Sequence, residues 1–335
     1  MLIRRAIALV VTAVSLYLVL PSVAELFSSW PDLAVLDPVW LALMLALEAA
    51  SLATVWILQR ICLRRPSFGP VVLSQLAGNA LAKVAPGGGA TGGALQYRML
   101  VDAGLPRGAV GAGLATANLL TFATLLTLPV LTVPAMVGGL PVDRGLVQAA
   151  LLGAALFCAV AVLGGVLLAS DRALTSVARA AQGARNRLLR SRPPLRDLPA
   201  RLVRERDVAL GVVGPRAREA LMSAVLRWLL DYSALLLALA AVGAEPRPSL
   251  VLLAFTGAQL LALVPFTPGG LGFVEAGLTG LLALAGVSAG DAAVATLAYR
   301  LVSYWLPLPA GAVAALVNRF FRAGRAREKA GGSIA

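Results

Sequence analysis

The chain has 335 residues, of which 59% are apolar and only 13% are charged, with a net charge of +13. Since a soluble domain has about a quarter of its residues charged, this composition excludes a soluble globular protein and indicates a polytopic helical membrane protein. The excess charge is almost entirely arginine in a few loops, which favours cytoplasmic loops over nucleic-acid binding. Without histidine, and with two cysteines in or beside apolar runs, the sequence predicts no metal, cofactor or disulfide framework.

The N-terminal part of the chain predicts two membrane spans. An uncharged run over 6–24 follows two arginines and is predicted as a retained first span, with a cleaved signal peptide as the alternative. After an acidic external loop, the second span covers 39–61 and ends in arginines, which places that end in the cytoplasm. Glu48 lies near the middle of this span, either as a cavity residue or as an interhelical hydrogen-bonding group.

The next apolar segment carries Lys83 and then breaks, because five of residues 86–93 are glycine. The run lacks the Gly-Lys-Ser/Thr of a phosphate-binding loop and the preceding strand of a dinucleotide site. It therefore predicts unwound backbone, with N–H groups at Gly87 and Gly88 able to receive an anion. The charged residues that follow, beginning with Arg98, return the chain to the cytoplasmic side.

Residues 68–106 are thus predicted as a re-entrant helical hairpin that enters the membrane from the cytoplasm. Full spans follow over 108–139 and 145–169. Residues 171–219 then carry twelve arginines and five acidic residues, which is too much charge for a span. This segment predicts the main cytoplasmic loop, with an amphipathic helix over 173–189. Its arginines either set the topology or lie on anionic headgroups.

The second half begins with a span over 220–242. Arg227 and Asp231 lie four residues apart within it and share one face of a helix, which predicts a structural ion pair. The long uncharged run that follows is interrupted by Pro-Gly-Gly at 268–270, just before Glu275. Unwound backbone and a carboxylate within an apolar run predict a second hairpin with a polar environment. The distribution of charge places its entrance on the external side.

The last span covers 291–317, with Arg300 as the lone basic residue of its apolar interior. The two Pro-Gly-Gly breaks lie 182 residues apart, and the same offset pairs Gly104 with Gly286 and Asn118 with Arg300. Interrupted apolar segments at corresponding places in two halves indicate a transporter with its site at a repeat interface. The alternative is chance recurrence of a turn sequence.

The predicted fold is an all-α polytopic membrane protein with six full spans and two re-entrant hairpins, and with both termini cytoplasmic. It forms one domain over 1–335 in the cell membrane. Repeat 1 covers about 68–139 and repeat 2 about 249–317. Because their hairpins enter from opposite faces, the two repeats are predicted to have inverted topology.

These residues resemble the transmembrane region of lysylphosphatidylglycerol synthases, a flippase-like membrane domain that also occurs alone in bacteria and archaea. The likeness covers nearly the whole chain and is carried by both glycine breaks and by residues at matching positions: Arg98, Glu275, Gly286, Arg300, Tyr304, Trp305 and Pro307. In bifunctional members this domain is implicated in moving aminoacylated phosphatidylglycerol between leaflets, while a separate soluble domain makes that lipid. The resemblance implies translocation without catalysis here, because no synthase domain follows the last span.

The leading interpretation is a lipid flippase or transporter for an anionic or aminoacylated phospholipid or a polyprenyl-linked lipid. The two broken helices would meet near the midplane around a polar cavity, where Arg98, Arg300 and Lys83 hold the lipid phosphate. Glu275 would pair with Arg300 in the empty site or receive a cationic headgroup. The predicted substrate-binding residues are these and their neighbours at the breaks: Lys83, Gly87, Gly88, Arg98, Asn118, Gly269, Gly270, Glu275, Arg300 and Tyr304.

Three alternatives stay open. Glu275 and Arg300 form a static buried salt bridge; or the protein is an integral-membrane lipid transferase that uses Glu48, Glu275 and Asp291; or it is a non-transporting membrane partner of a glycosyltransferase. Homo-oligomers are compatible with each of these. No nucleotide-binding motif occurs in the sequence, so ATP hydrolysis by this chain is not expected.

Overall fold

A computed structural model of the protein describes residues 36–64, 67–85, 88–128, 155, 159, 162–167, 169–188, 193–262 and 268–331. All regular structure in these residues is helical, as predicted for an all-α protein. The predicted first span over 6–24 and most of the predicted span over 145–169 lie outside the described residues.

The described α-helices, in chain order, are α1 (Pro38–Leu63), α2 (Gly69–Val84), α3 (Gly88–Asp102), α4 (Arg107–Thr127), α5 (Asp171–Leu188), α6 (Leu198–Val213), α7 (Ala217–Ala241), α8 (Pro248–Leu261), α9 (Phe273–Leu284), α10 (Ala289–Arg300) and α11 (Pro307–Gly331). Short 3₁₀ turns occur at Gly214–Arg216 and Pro268–Gly270. A π-helix, Leu301–Trp305, joins α10 to α11.

Four helical stretches of the described residues are long and apolar enough to cross a membrane: Pro38–Leu63, Arg107–Thr127, Gly214–Ala241 and Ala289–Phe320. They coincide with four of the six predicted spans. The helices α8 and α9 are apolar but shorter. The chain is therefore a multi-pass helical membrane protein.

Local sequence defines both ends of α1. The Asp37 carboxylate accepts a hydrogen bond from the Val39 N–H at 2.9 Å, and Pro38 occupies the first turn, where its missing N–H has no consequence. The helix ends at Arg64, which adopts a left-handed φ of 50°. The 26 residues between these caps are long enough to cross the apolar part of a bilayer.

The largest interface of α1 is with α7. Near the middle of both helices, Ser51 Oγ donates a hydrogen bond to the Arg227 carbonyl oxygen at 3.0 Å. Further along α1, Leu58 belongs to a buried cluster with Ala220 and Ala224, which lie near the start of α7. These contacts are those of two helices that run antiparallel.

The first glycine break separates α2 from α3, but it is shorter than predicted: residues 88–93, expected to be unwound, form the first turns of α3. The two helices pack closely against each other. Glycine makes this approach possible, because a Cβ at Gly92 would collide with the Gly78 carbonyl oxygen and lie 2.7 Å from Ala82 Cβ. On its other side, α2 packs on α11, where Gly311 lies against Leu76 and Ala80. Helix α2 is thus held between α3 and α11.

This packing gives a test with an internal control. We expect Gly92→Ala to destabilise the protein by about 1–3 kcal/mol, because the added methyl forces α2 and α3 apart. Gly93→Ala places its methyl where nothing lies within 4 Å, and is expected to be neutral or stabilising because alanine favours the helix. Thermal unfolding of the detergent-solubilised variants measures both. Equal effects of the two substitutions would show that the α2–α3 approach is not tight.

The second break has the same arrangement: α8 and α9 flank it and pack against each other. A Cβ at Gly257 of α8 would lie 2.8 Å from Leu281 Cδ1 of α9, and Gly277 of α9 faces Leu261 of α8. The break itself contains left-handed residues, including Gly269 with a φ of 63°. Each break therefore joins two short helices that fold back on one another.

The sequence offset of 182 residues recurs in the backbone. Helices α3 and α9 end at positions with this offset, and so do the starts of α4 and α10. Both ends carry a left-handed glycine, Gly104 with a φ of 93° and Gly286 with a φ of 94°. At each helix end, the residue after the glycine donates its N–H to the carbonyl oxygen five residues earlier: Leu105 to Leu100, and Val287 to Leu282. This is the Schellman end of a helix in both halves.

Aromatic rings tie α7 to α8 and α10 in the main core. The ring of Phe255 makes edge contacts with Trp228, Tyr232 and Tyr299, at centroid distances of 6.2, 5.8 and 6.5 Å. Phe255 is 1% exposed, so these contacts lie inside the bundle. Their packing fixes Tyr299 on the inner face of α10.

The arginine-rich segment forms α5 and α6, which pack on each other. The predicted amphipathic helix over 173–189 is confirmed as α5. Arg206 of α6 donates hydrogen bonds to Asp207 and to Asp171 at the start of α5. These bonds raise the pKa of the Arg206 guanidinium above its usual range. They connect the two helices outside the apolar bundle.

Candidate functional site

A polar cavity of about 360 Å³ lies between α1, α2, α3, α4, α7, α8 and α10. Its charged lining residues are Glu48, Lys83, Arg227, Asp231 and Arg300. Amide side chains complete much of the wall: Gln59, Gln75, Asn79, Gln96, Asn118 and Gln259. Because ionisable groups are costly within apolar helices, their concentration here identifies the functional candidate.

Arg300 is the last residue of α10 and lines the cavity. Its Nε donates to Glu275 Oε1 at 2.7 Å, and its Nη2 makes a long contact of 3.5 Å with the Gly269 carbonyl oxygen. Both partners belong to the second break and the helix after it. These contacts use two of the five N–H donors of the guanidinium, so the others remain for a ligand.

The end of α2, just before the first break, contacts both the π-helix and Gly269 of the second break. Lys83, near the end of α2, donates to the carbonyl oxygens of Ser303 and Tyr304 at 2.7 and 3.2 Å. In return, the Tyr304 hydroxyl donates to the Lys83 carbonyl oxygen at 2.7 Å. Gly269 fits below this pair, since a Cβ there would lie 2.6 Å from the Tyr304 ring. The π-helix positions these groups, as π-helical turns often do at functional sites.

A second ion pair, between Arg227 and Asp231, also lines the cavity. Asp231 is 2% exposed and accepts hydrogen bonds from Arg227 at 2.9 Å, Tyr299 at 2.7 Å and Gln259 at 3.4 Å. Arg227 also donates to Ser51 Oγ at 2.7 Å. The predicted pairing of Arg227 with Asp231 is confirmed. The network joins α1, α7, α8 and α10, so it contributes to the packing of these four helices.

Glu48 lines the cavity from α1 and is 4% exposed, yet its Oε2 has no hydrogen-bond partner among the described residues. The three carboxylates considered for a transferase are not brought together. Glu275 lies behind Arg300, and Asp291 lies at the start of α10, where it accepts a hydrogen bond from Ser288 at 2.6 Å. Only Glu48 of the three lines this cavity.

Half of the predicted binding residues line the cavity: Lys83, Asn118, Gly269, Arg300 and Tyr304. Glu275 contacts Arg300 from behind and is not part of the lining. Gly88 begins α3, one residue before the lining residue Gly89, and Gly270 follows Gly269. Gly87 lies outside the described residues.

Arg98 does not share the cavity with Arg300, contrary to the sequence interpretation. The lining residues of α3 are Gly89, Gly92, Gly93 and Gln96, which recur at the spacing of one helical face. Arg98 lies two residues after Gln96 and hence on the opposite face. It lines a separate depression together with Arg319 of α11.

The sequence interpretation missed most of the amide side chains of the wall. A signal for them was present, because Gln75, Asn79 and Lys83 recur every four residues and so share one face of α2. All three line the cavity. The pair formed by Gln96 and Gln59, with Nε2 donating to Oε1 at 2.8 Å, joins residues 37 apart and had no local signal.

Apolar spanning helices, two broken helix pairs and a buried charged cavity together define a multi-pass membrane protein with an internal polar site. The chain belongs to the family described as lysylphosphatidylglycerol synthase TM region, which matches residues 5–311. The resemblance inferred from the sequence is thereby confirmed.

Two curated proteins of Methanothermobacter thermautotrophicus, each named a UPF0104 membrane protein, are similar to part of the chain. One is 36% identical over 89 residues, which are 27% of this chain and 25% of the relative. The other is 33% identical over 89 residues, which are 27% of each. The match thus spans about a quarter of the length of these relatives. No solved structure matches the chain significantly.

Proposed function

We propose that this protein moves a phosphate-bearing lipid, either an anionic or aminoacylated phospholipid or a polyprenyl-linked lipid, between the two leaflets of the cell membrane. The observation that carries the proposal is the cavity of about 360 Å³, in which charged groups meet the two helix breaks inside apolar helices. A lipid headgroup needs such a polar path, while its tails stay in the bilayer.

The proposal includes an inverted repeat whose broken helix pairs are re-entrant hairpins, within a single domain with both termini cytoplasmic. Two features support it. The offset of 182 residues relates the Schellman ends after α3 and α9. The helices that precede the two hairpins, α1 and α7, run antiparallel, as equivalent helices of an inverted repeat must.

Arg300 and Lys83 are the proposed phosphate ligands. Both cations approach the Tyr304 ring, with the Arg300 guanidinium 4.3 Å and the Lys83 ammonium 5.0 Å from its centroid. Lys83 bonds only to carbonyl oxygens among the described residues, so its charge has no ion-pair partner there. A phosphate placed between the two groups would accept charge-assisted hydrogen bonds from both.

Glu275 and Glu48 have different proposed roles. Glu275 orients the guanidinium of Arg300 through its bond to Nε, from a position behind the cavity wall. Glu48 offers its unpartnered Oε2 to a donor group of the headgroup, such as a hydroxyl or an ammonium. The bound lipid would thus satisfy a buried oxygen that the described residues leave without a partner.

Lipid translocation in liposomes tests the proposal. Purified protein is reconstituted with phosphatidylglycerol that carries a fluorescent acyl chain, and dithionite is added to quench the outer leaflet. If the protein moves this lipid, the inner-leaflet fluorescence is lost as well. Protein-free liposomes and liposomes with an unrelated helical membrane protein are the controls.

The same assay is repeated with fluorescent phosphatidylcholine and with a fluorescent polyprenyl phosphate. The rates for these two probes are compared with the rate for phosphatidylglycerol, because the three lipids differ in headgroup. Protection of inner-leaflet fluorescence equal to that of the controls, for all three probes, would contradict lipid translocation by this protein.

A further inference from the structure

A second depression, of about 420 Å³, lies on a face of α3 next to the one that lines the cavity. It is formed between α3 and α11 and is lined by Leu95, Arg98, Met99, Ala315, Asn318 and Arg319. On each helix, two of the lining residues lie three and four positions after the first: Arg98 and Met99 after Leu95 on α3, and Asn318 and Arg319 after Ala315 on α11. Each helix therefore contributes one continuous face. The depression and the cavity share no lining residue.

Charge at this depression is of one sign. Arg98 and Arg319 come from different helices, and neither forms an ion pair with another described residue. No carboxylate is among the described residues that line it. Two guanidinium groups brought to one place without an acidic partner attract an anion, and their planar forks suit the oxygens of a phosphate.

Apart from Asn318, the rest of the lining is apolar, and Arg319 lies at one end of an uncharged run of the sequence. Arg319 is the first charged residue after the uncharged run 301–318. On the same helix Val313, Leu316 and Phe320 are 58%, 55% and 76% exposed, as side chains that face lipid tails are. The depression therefore combines apolar walls with two cations, one of which ends an uncharged run of a spanning helix, where contact with phospholipid phosphates is expected.

We propose that this depression binds one phospholipid with an anionic headgroup as a resident ligand. Its phosphate lies between Arg98 and Arg319, Asn318 offers an amide to the headgroup, and the first part of an acyl chain follows Leu95 and Met99. This site is distinct from the translocation cavity. Its occupancy does not depend on whether the protein moves lipids.

Photocrosslinking tests the site. Protein in liposomes is illuminated with phosphatidylglycerol that carries a diazirine near the start of one acyl chain, and the labelled peptides are mapped. Label is expected within 95–99 and 315–319. In the variant Arg98→Gln with Arg319→Gln this label is expected to fall by about tenfold or more, because both charge-assisted contacts are lost.

The control variant Arg172→Gln with Arg218→Gln removes two charges from exposed positions outside the depression and is expected to keep the label. Arg300→Gln alters only the cavity and is expected to keep it too. Unchanged labelling of 95–99 and 315–319 in the double variant, at wild-type thermal stability, would overturn the proposal. Equal labelling by the matching phosphatidylcholine probe would also overturn it, because charge would then play no part.

Discussion

Replacement of Arg300 by alanine is expected to slow lipid translocation by at least about tenfold in the liposome assay. The reason is the loss of charge-assisted hydrogen bonds to the lipid phosphate, which contribute about 1.5–3 kcal/mol each, where 1.4 kcal/mol is a factor of ten. Arg300→Lys should retain part of the rate, since it keeps the charge but loses the planar fork. Arg218→Ala, at an exposed position outside the cavity, should leave the rate unchanged.

A double variant distinguishes phosphate binding by Arg300 from a purely structural salt bridge between Arg300 and Glu275. If the bond from Arg300 to Glu275 served only to hold α9 against α10, then Arg300→Met with Glu275→Met would restore both packing and translocation, because apolar residues of similar volume can replace a buried ion pair. We expect the double variant to be folded and nearly inactive. Translocation at the wild-type rate by a folded double variant would refute a phosphate-binding role for Arg300.

Replacement of Asp231 by alanine is expected to be the most destabilising single change at the cavity, by about 3–5 kcal/mol. Asp231 is 2% exposed and accepts hydrogen bonds from Arg227, Tyr299 and Gln259, so its removal leaves a buried guanidinium without its partner. A lowered midpoint of thermal unfolding in detergent measures this loss.

The exposed ion pair between Asp171 and Arg206 provides the comparison. The Asp171 side chain is 69% exposed, against 3% for Asp231. Asp171→Ala should therefore change stability by only about 0–1 kcal/mol, as surface ion pairs do. If Asp231→Ala unfolded at the same temperature as Asp171→Ala, the network around Asp231 would contribute nothing to packing.

These two predictions assign different roles to ion pairs of similar geometry. Arg227 and Asp231 pair within one helix and bond to Ser51, Gln259 and Tyr299 of three neighbouring helices, so their network is expected to hold these helices together. Arg300 bonds to Glu275 and Gly269 and lines the cavity together with Lys83, a cation without an ion-pair partner among the described residues. Structural support and ligand binding are thus expected to come from different charged groups of one cavity.

Local patterns of the sequence predicted the features that depend on near neighbours along the chain. Apolar length and flanking charge predicted the four spans now described, and glycine content predicted a break in each half, although residues 88–93 of the first predicted break are helical. The four-residue spacing of Arg227 and Asp231 predicted their ion pair. These features depend only on helix geometry, because helical hydrogen bonds and contacts along one helix face join residues three or four positions apart.

Only the tertiary structure decided which distant charges meet. The sequence grouped Arg98 with Arg300, but one residue more or less along a helix turns a side chain by about 100°. Arg98 thereby faces α11, while Gly92 and Gln96 of the same helix face the cavity. The contacts of Lys83 with Ser303 and Tyr304 join residues more than 200 positions apart and depend on how the helix pairs pack. The sequence determined that the membrane holds a polar site at two helix breaks, and packing decided which side chains form it.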